Sequence, residues 1–358
     1  MRILSIETSC DETAIAVLEA EGPIECPKLK ILGNALISQI NIHMEFGGVV
    51  PSLAKREHIK NLPFILEEVM KQVREGTEQS EGRTPQVSET NDIDTIAVTV
   101  GPGLEPALWT GITFAEELGK KWGLPVIGVN HMEGHILSVL YGADVPVDFP
   151  ALALLVSGGH TELVFIKSFG DYQIIGRTLD DAVGEAFDKA ARLLGLPYPG
   201  GPEISKLASI HRGKGVEASI TFPRPMLHSK DFNFSYSGLK TAILYKIKSM
   251  GELTNDHKEE LARAFEDAAI DALIHKTRKA LEVNDVKTLI VAGGVVANSH
   301  LRAELKKLVE EFTHISLKLP EMFLSTDNAV MIAIAAYRQI LDKEKLPEAL
   351  RASGNFSL

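Results

Sequence analysis

Short apolar runs alternate with amphipathic stretches along most of the chain. Residues 2–20 (RILSIETSCDETAIAVLEA) read as an apolar run, a polar turn and a second apolar run, the pattern of a β-hairpin. Residues 55–75 carry apolar positions at helical spacing, with Pro63 as an irregularity. Residues 76–92 are polar and rich in Gly, Pro, Ser and Thr, and are expected to form a flexible surface loop. A buried strand over 93–103 ends in Gly-Pro-Gly. A helix over 107–123, a strand over 125–130 and a helix from His131 follow.

The second half opens as the first did. Residues 150–170 read as strand, glycine turn, strand. Helices are expected over 181–196 and 258–284, with a loop at 198–202 between them. Strand, glycine turn and helix follow over 286–311, and a last helix after Asp327. Strands alternating with helices give an α/β class, and two halves that each open on a hairpin suggest a duplication. Three turns after strands, at 7–13, 157–161 and 293–298, are rich in glycine or hydroxyl residues. Strand ends are where α/β folds bind ligands, and glycine there lets backbone N–H groups approach an anion.

Composition narrows the classes. The chain is 45% hydrophobic, 24% charged and 6% aromatic over 358 residues, enough for two domains. No apolar run approaches the roughly 20 residues that span a bilayer, and the start lacks a signal-peptide core. Two cysteines, Cys10 and Cys26, without a metal-type spacing suit free thiols in a reducing cytoplasm. A net charge of −11 argues against nucleic-acid binding by bulk charge. Locally, residues 206–248 hold eight Lys/Arg against Glu217 and Asp231. That stretch is either a solvated surface or a cationic face.

The sharpest chemical signal is His131-Met-Glu-Gly-His135. Residues on a helix advance about 100° each, so the two imidazoles lie about 40° apart, one turn above the other. They can reach one metal ion. Glu133 lies about 200° from His131. In HExxH proteases the glutamate directly follows the first histidine and serves as base beside the metal. Here it falls on the opposite side, which disfavours proteolysis. Asp327, before the last helix, is a candidate third ligand or merely a helix cap. Asn298, after Gly293-Gly294, fits a helix cap or a ribose contact equally. Glu185 and Asp188 share a helix face that could meet ribose hydroxyls or only solvent.

Read together, IETSCDET, GGVVPSLAKREH, GPGL, NHMEGH, LLVSGGHTEL, GEAFDKAARLLGLPYPGGP, FPRPM, FSYSGLKTA, AGGVVAN and STDNAVMIA resemble the tRNA N6-adenosine threonylcarbamoyltransferases. This family was formerly labelled O-sialoglycoprotein endopeptidases, and the likeness is to its bacterial branch. The motifs run in family order over about residues 1–337. The resemblance implies an actin-like, sugar-kinase-like ATPase fold, with two duplicated α/β domains around a nucleotide cleft. The expected domains are 1–130 plus about 328–345, and 131–327. The implied reaction moves a threonylcarbamoyl group from threonylcarbamoyl-AMP to N6 of adenosine 37 in tRNAs reading ANN codons, releasing AMP.

Matched position by position, the resemblance implies a divalent metal, iron or alternatively zinc, on His131, His135 and Asp327. It places Leu155, Val156, Ser157, Gly158 and Gly159 against the adenylate, and Asp188, Gly201 and Asn298 against its adenosine. Asp11 or Glu12 is expected to be the base for the attacking amine. Implied partners are tRNA, a paralogous actin-like subunit and a small P-loop ATPase, in the cytoplasm and without a membrane. The chain departs from the family pattern at Glu105-Pro106, Val296 and Ser325. Two rival readings share the fold: an ATP-dependent kinase or ATPase, and a non-catalytic scaffold paralogue. An imidazole pair has no evident use in either.

Overall fold

The computed structural model describes residues 1–81, 92–343 and 349–358, apart from the side chains of 77–81. It divides into two compact units: residues 1–146 with 327–358, and residues 147–326.

The first unit is built on β1 (Arg2–Glu7), β2 (Glu12–Glu21), β3 (Lys28–Ser38), β4 (Thr95–Gly101) and β5 (Val126–Asn130), in sheet order β3-β2-β1-β4-β5. The expected hairpin pairs antiparallel, from Arg2 opposite Glu19 to Glu7 opposite Ala14. β4 then joins β1 in parallel, and β5 joins β4. Its helices are α1 (Ile40–His43), α2 (Pro51–Glu81), α3 (Glu105–Trp122), α4 (His131–Leu137) and, returning at the end of the chain, α10 (Ala329–Leu341). Helix α2 passes through Pro63, which is exposed, without interruption. It also continues through Glu81, so residues 76–81 are helix where composition suggested loop. Residues 82–91 lie outside the described residues. Leu62, Ile65, Val69 and Val73 supply α2 with an apolar stripe at helical spacing, which packs on the sheet and outweighs local polarity.

The second unit repeats this plan with β6 (Ala151–Val156), β7 (Thr161–Ser168), β8 (Asp171–Arg177), β9 (Thr288–Ala292) and β10 (Ser316–Lys318). Its sheet order is β10-β9-β6-β7-β8, with β6–β7–β8 antiparallel and β9 and β10 parallel to β6. Read from each unit's first strand outward, the two orders are the same, the topological mark of duplication. Its helices are α5 (Val183–Leu193), α6 (Gly200–Gly213), α7 (Ser237–Met250), α8 (Asn255–Val283) and α9 (Ser299–Glu310). β6 and β9 are buried along their whole length, as expected of central strands covered on both faces.

The boundary differs from the sequence expectation. Residues 131–146, assigned by sequence to the second domain, belong to the first unit, and so does Asp327. Helix α4 packs on α10: a Cβ placed on Gly134 would come within 3.2 Å of Ile332 and Met331 side-chain atoms. The three expected metal ligands therefore belong to one unit rather than the other. Both cysteines are free thiols. Among the described residues, no helix is long and apolar enough to cross a membrane.

Candidate metal centre

Helix α4 begins directly where β5 ends. Asn130 caps it, its side-chain oxygen accepting from the N–H groups of Met132 (2.8 Å) and Glu133 (3.2 Å). The Asn130 side-chain nitrogen donates to the Ser357 carbonyl (3.2 Å), so the amide can face only one way. This cap presents His131 and His135 on one side, with ring centroids 4.7 Å apart and ring planes at 87°.

Asp327 reaches the same point from the other end of the chain. Its Oδ1 lies 3.2 Å from His135 Nε2 and 3.4 Å from His131 Nε2. One donor atom from each of the three residues falls within 4.8 Å of the others. Asp327 is not the helix cap. Asn328 caps α10, accepting from Met331 N–H (3.0 Å), which frees Asp327 to face the imidazoles. Two nitrogens and one carboxylate oxygen form a donor set suited to zinc or iron. Two ligands about 2.1 Å from a shared tetrahedral centre would stand about 3.4 Å apart. The residues present therefore fit an ion.

Glu7 was not singled out from sequence. It ends the largely buried strand β1 and is itself fully buried. Its Oε2 accepts from His131 Nδ1 (3.1 Å) and Thr99 Oγ1 (2.6 Å), and its Oε1 from Ser9 N–H (2.5 Å). A carboxylate on Nδ1 fixes the imidazole's orientation and leaves Nε2 facing Asp327. The available signal was an acid closing a buried strand, since a buried carboxylate is stable only when paired.

The electrostatics follow from burial and proximity. Burial alone would lower the His131 pKa, but Asp327 and Glu7 on either side hold it well above the ordinary histidine value. Burial would raise Asp327 and Glu7, yet the His131 charge and its hydrogen bonds hold both carboxyls below theirs. His135 is pushed down, first by burial. Its Nδ1 is buried with no hydrogen-bond partner among the described residues.

Glu133 is turned away from this centre. Its carboxylate meets Arg338 of α10 at 2.9 Å, with both side chains only 4% exposed. The helical angle read from sequence thus becomes a buried ion pair on the far side of α4.

Glu12 opens β2, and Asp11 is the last residue of the turn before it. Asp11 is buried, and its Oδ2 has no hydrogen-bond partner among the described residues. Burial raises Glu12 well above the usual carboxylate range, and the neighbouring charges of Asp11 and Asp327 raise it further.

The adenylate positions expected from sequence all fall in the second unit, at the carboxyl ends of β6 and β9 and on the helices beside them. Gly158 and Gly159 are exposed, with open space where a Cβ would sit. Leu155 and Val156 are fully buried, which leaves only their backbone for a ligand. The turn is closed by Ser157, whose hydroxyl accepts from His160 N–H (3.0 Å). Gly184, in the first turn of α5, packs against it: a Cβ there would lie 2.6 Å from the Ser157 carbonyl. Gly293 has a φ of +100° and meets the Val156 carbonyl, where a Cβ would lie 2.4 Å away.

Asp188 Oδ1 accepts from Gly200 N–H (2.7 Å), joining α5 to the start of α6, and Gly201 beside it faces open space. Glu185, on the same helix, pairs with Lys189 (2.9 Å). Asn298 is heavily engaged. It caps α9 through Leu301 N–H (2.9 Å) and donates to Ser205 Oγ and Glu266 Oε1, both at 2.7 Å.

The cationic stretch looks different in three dimensions. Helix α8 neutralises much of it: Lys214 pairs with Asp256 (2.8 Å) and Glu259 (2.5 Å), Arg212 with Glu266 (2.5 Å) and Asp267, and Arg224 with Asp271 (2.6 Å). Lys240, Lys246 and Lys248 of α7 make no ion pair with an acid among the described residues. They flank the exposed Tyr245 on a helix that carries no acid.

Known proteins share both the sequence and the fold. The family model TsaD, tRNA N6-adenosine threonylcarbamoyltransferase, matches residues 30–334. A protein of that name from Thermosipho africanus is 45% identical over 340 residues, covering 94% of both chains. Another from Burkholderia ambifaria is 47% identical over 341 residues, covering 94% of this chain and 91% of the relative. Among solved structures, full-length HypF in its phosphate- and nucleotide-bound form superposes with a TM-score of 0.58 at 12% identity. The match covers 97% of this chain and 47% of HypF. Component A of the Acidaminococcus fermentans (R)-2-hydroxyglutaryl-CoA dehydratase gives a TM-score of 0.50 at 12% identity, covering 95% and 99%. At such low identity these two establish only the actin-like fold.

Proposed function

Because the chain belongs to the tRNA N6-adenosine threonylcarbamoyltransferase family, we propose that it transfers a threonylcarbamoyl group from threonylcarbamoyl-AMP to N6 of adenosine 37. The acceptors are tRNAs reading ANN codons. The observation that carries this reading is the convergence of His131 Nε2, His135 Nε2 and Asp327 Oδ1, with Glu133 paired elsewhere. It supports a site that holds a donor and argues against one that activates water for peptide cleavage.

In the reaction the N6 amine attacks the carbamoyl carbonyl carbon, the bond from that carbon to the phosphate oxygen breaks, AMP departs and the amine loses a proton. His131, His135 and Asp327 would hold the ion, iron with zinc as alternative, which when bound supplies Lewis-acid polarisation of a substrate oxygen. Glu7 orients His131. Glu12, whose raised pKa makes its carboxylate the stronger base, or Asp11 takes the amine proton. The open backbone at Gly158 and Gly159 receives the adenylate, and Asp188, Gly201 and Asn298 frame its adenosine. Asn298 does so while capping α9, since its amide is already committed to Ser205 and Glu266. A kinase or ATPase reading on the same fold leaves the imidazole pair without a task. A paralogous actin-like subunit and a small P-loop ATPase complete the system, in the cytoplasm.

A single-turnover assay tests this. The chain, both partner subunits, unmodified tRNA and synthetic threonylcarbamoyl-adenylate are mixed, and tRNA nucleosides are measured by mass. Threonylcarbamoyl-adenosine and AMP should form in equal amounts. An unmodified tRNA with intact donor and every component present would reject the reading and favour the kinase or scaffold.

The tRNA interaction is assigned to α7 rather than to the whole 206–248 stretch. Reversing Lys240, Lys246 and Lys248 to Glu should weaken tRNA binding and reduce the salt slope by about one for each phosphate no longer neutralised. Lys214, included in the cationic stretch by sequence alone, is held by two acids, and neutralising it should leave the slope unchanged. Equal effects at Lys214 and on α7 would count against this face.

A further inference from the structure

We propose that His58 is a positioning residue for the Cys10–Glu12 turn, holding it through its Nε2–H at the end of a buried hydrogen-bond chain that starts at His43. The chain runs through groups to which the mechanism above gives no task. His43 of α1, His58 of α2 and Thr13 are fully buried, and Gln39 is 1% exposed.

Each proton in the chain has one place. The Cys10 carbonyl can only accept, so His58 Nε2, 3.0 Å away, carries the proton. His58 Nδ1 is then bare and accepts from Thr13 Oγ1 (2.8 Å) and Gln39 Nε2 (3.2 Å). Gln39 Nε2 also donates to the Ala54 carbonyl (3.4 Å), which confirms how the amide faces. Its Oε1 must therefore accept from His43 Nε2–H (3.2 Å). His43 Nδ1, left bare, accepts from Val50 N–H (3.4 Å). The chain begins at a backbone N–H and ends at a carbonyl. A carbonyl cannot relay a proton, so the chain acts as a scaffold.

What it holds is the turn that carries Asp11 and Glu12. The Cys10 carbonyl is held by His58, and the next carbonyl, of Asp11, by Gln39 N–H (3.0 Å). Two consecutive carbonyls are thus pinned from α2 and from the segment before α1. Burial lowers the His58 pKa, which keeps the ring neutral as this arrangement requires. The functional half of the inference rests on the transferase reading and on its use of Asp11 and Glu12. The structural half does not.

The test therefore has two arms on the full chain. Long-range proton–nitrogen correlation spectra should show His58 and His43 both protonated on Nε2 and bare on Nδ1. In His58→Ala, amide exchange at Gln39 should accelerate about tenfold or more, while Ile15 in the β1–β2 hairpin is unchanged. With the partner subunits, His58→Ala should lower the single-turnover rate about ten- to a hundredfold, as small misplacements of reacting groups do. Its metal content and tRNA affinity should match the wild type. His58→Gln, which can donate to Cys10 and accept from Thr13, should restore most of the rate. Nδ1 protonation of His58 in the wild type would overturn the proposal, and so would unchanged Gln39 exchange in folded His58→Ala. If His58→Ala does not fold, the tautomer together with Gln39 exchange in Thr13→Val decides. Exchange and tautomers as expected in a chain that transfers nothing would locate the error in the transferase reading.

Discussion

The double variant His131→Ala/His135→Ala should lose bound metal and slow threonylcarbamoyl transfer by about a thousandfold or more, with the fold intact. Three donors meet at this point, and removing two leaves a lone carboxylate, Asp327. Lewis-acid stabilisation is worth several kcal/mol, and each 1.36 kcal/mol is a factor of ten in rate. Metal per chain, measured by inductively coupled plasma mass spectrometry after dialysis, reads the site independently of activity. Glu7→Gln grades the effect. It keeps the shape beside His131 Nδ1 but removes the carboxylate, and metal affinity should fall about ten- to a hundredfold, the usual cost of losing such a support. Full metal content in the double variant would place the ion elsewhere.

Glu133→Ala should have the next largest effect, on stability rather than on chemistry. It removes the buried partner of Arg338, which keeps its ion pair with Asp342, 3.1 Å away and 45% exposed. Breaking a buried pair from one side costs about 3–5 kcal/mol, because the remaining charge loses its compensation. Denaturant unfolding should show that loss, while the transfer rate per folded molecule stays within a few-fold of wild type. A stable but inactive Glu133→Ala would return Glu133 to the chemistry and revive the protease reading. Arg338→Met combined with Glu133→Leu should recover much of the stability, since apolar residues of similar volume can replace such a pair.

These two predictions treat residues two positions apart in opposite ways, and the sequence already separated them. The 100° step of a helix puts His131 and His135 together and Glu133 opposite. That angle depends only on local backbone geometry, which the sequence dictates once α4 is helical. The duplication was legible for the same reason: strand periodicity is local, and each half opens on the same hairpin pattern. The reach of α2 to Glu81 was not legible, because packing on the sheet overrode a polar composition that reads as loop.

Partnership between distant residues is a different matter. Asp327 Oδ1 lies beside His135 although 192 positions separate them, and no periodicity reports that meeting. Sequence left Asp327 open as a helix cap, and only the fold shows Asn328 taking that task. Glu7, the Gln39–His43–His58 chain and the bonding of the Asn298 amide to Ser205 and Glu266 were equally hidden, since each depends on which side chain arrives from another element. The cationic stretch makes the same point for charge. Counting along the chain gave an excess of lysine and arginine, but α8 returns from farther along with acids that cancel part of it. The sequence by itself determined the two hairpins, the strongly periodic strands and helices, and the side of α4 on which each group lies, while β3, β8, β10, α6 and α7 emerged only in the structure. The tertiary structure alone decided which groups neutralise, orient or free one another. Those outcomes depend on short-range contacts in space, a few ångströms long, between residues far apart in the chain.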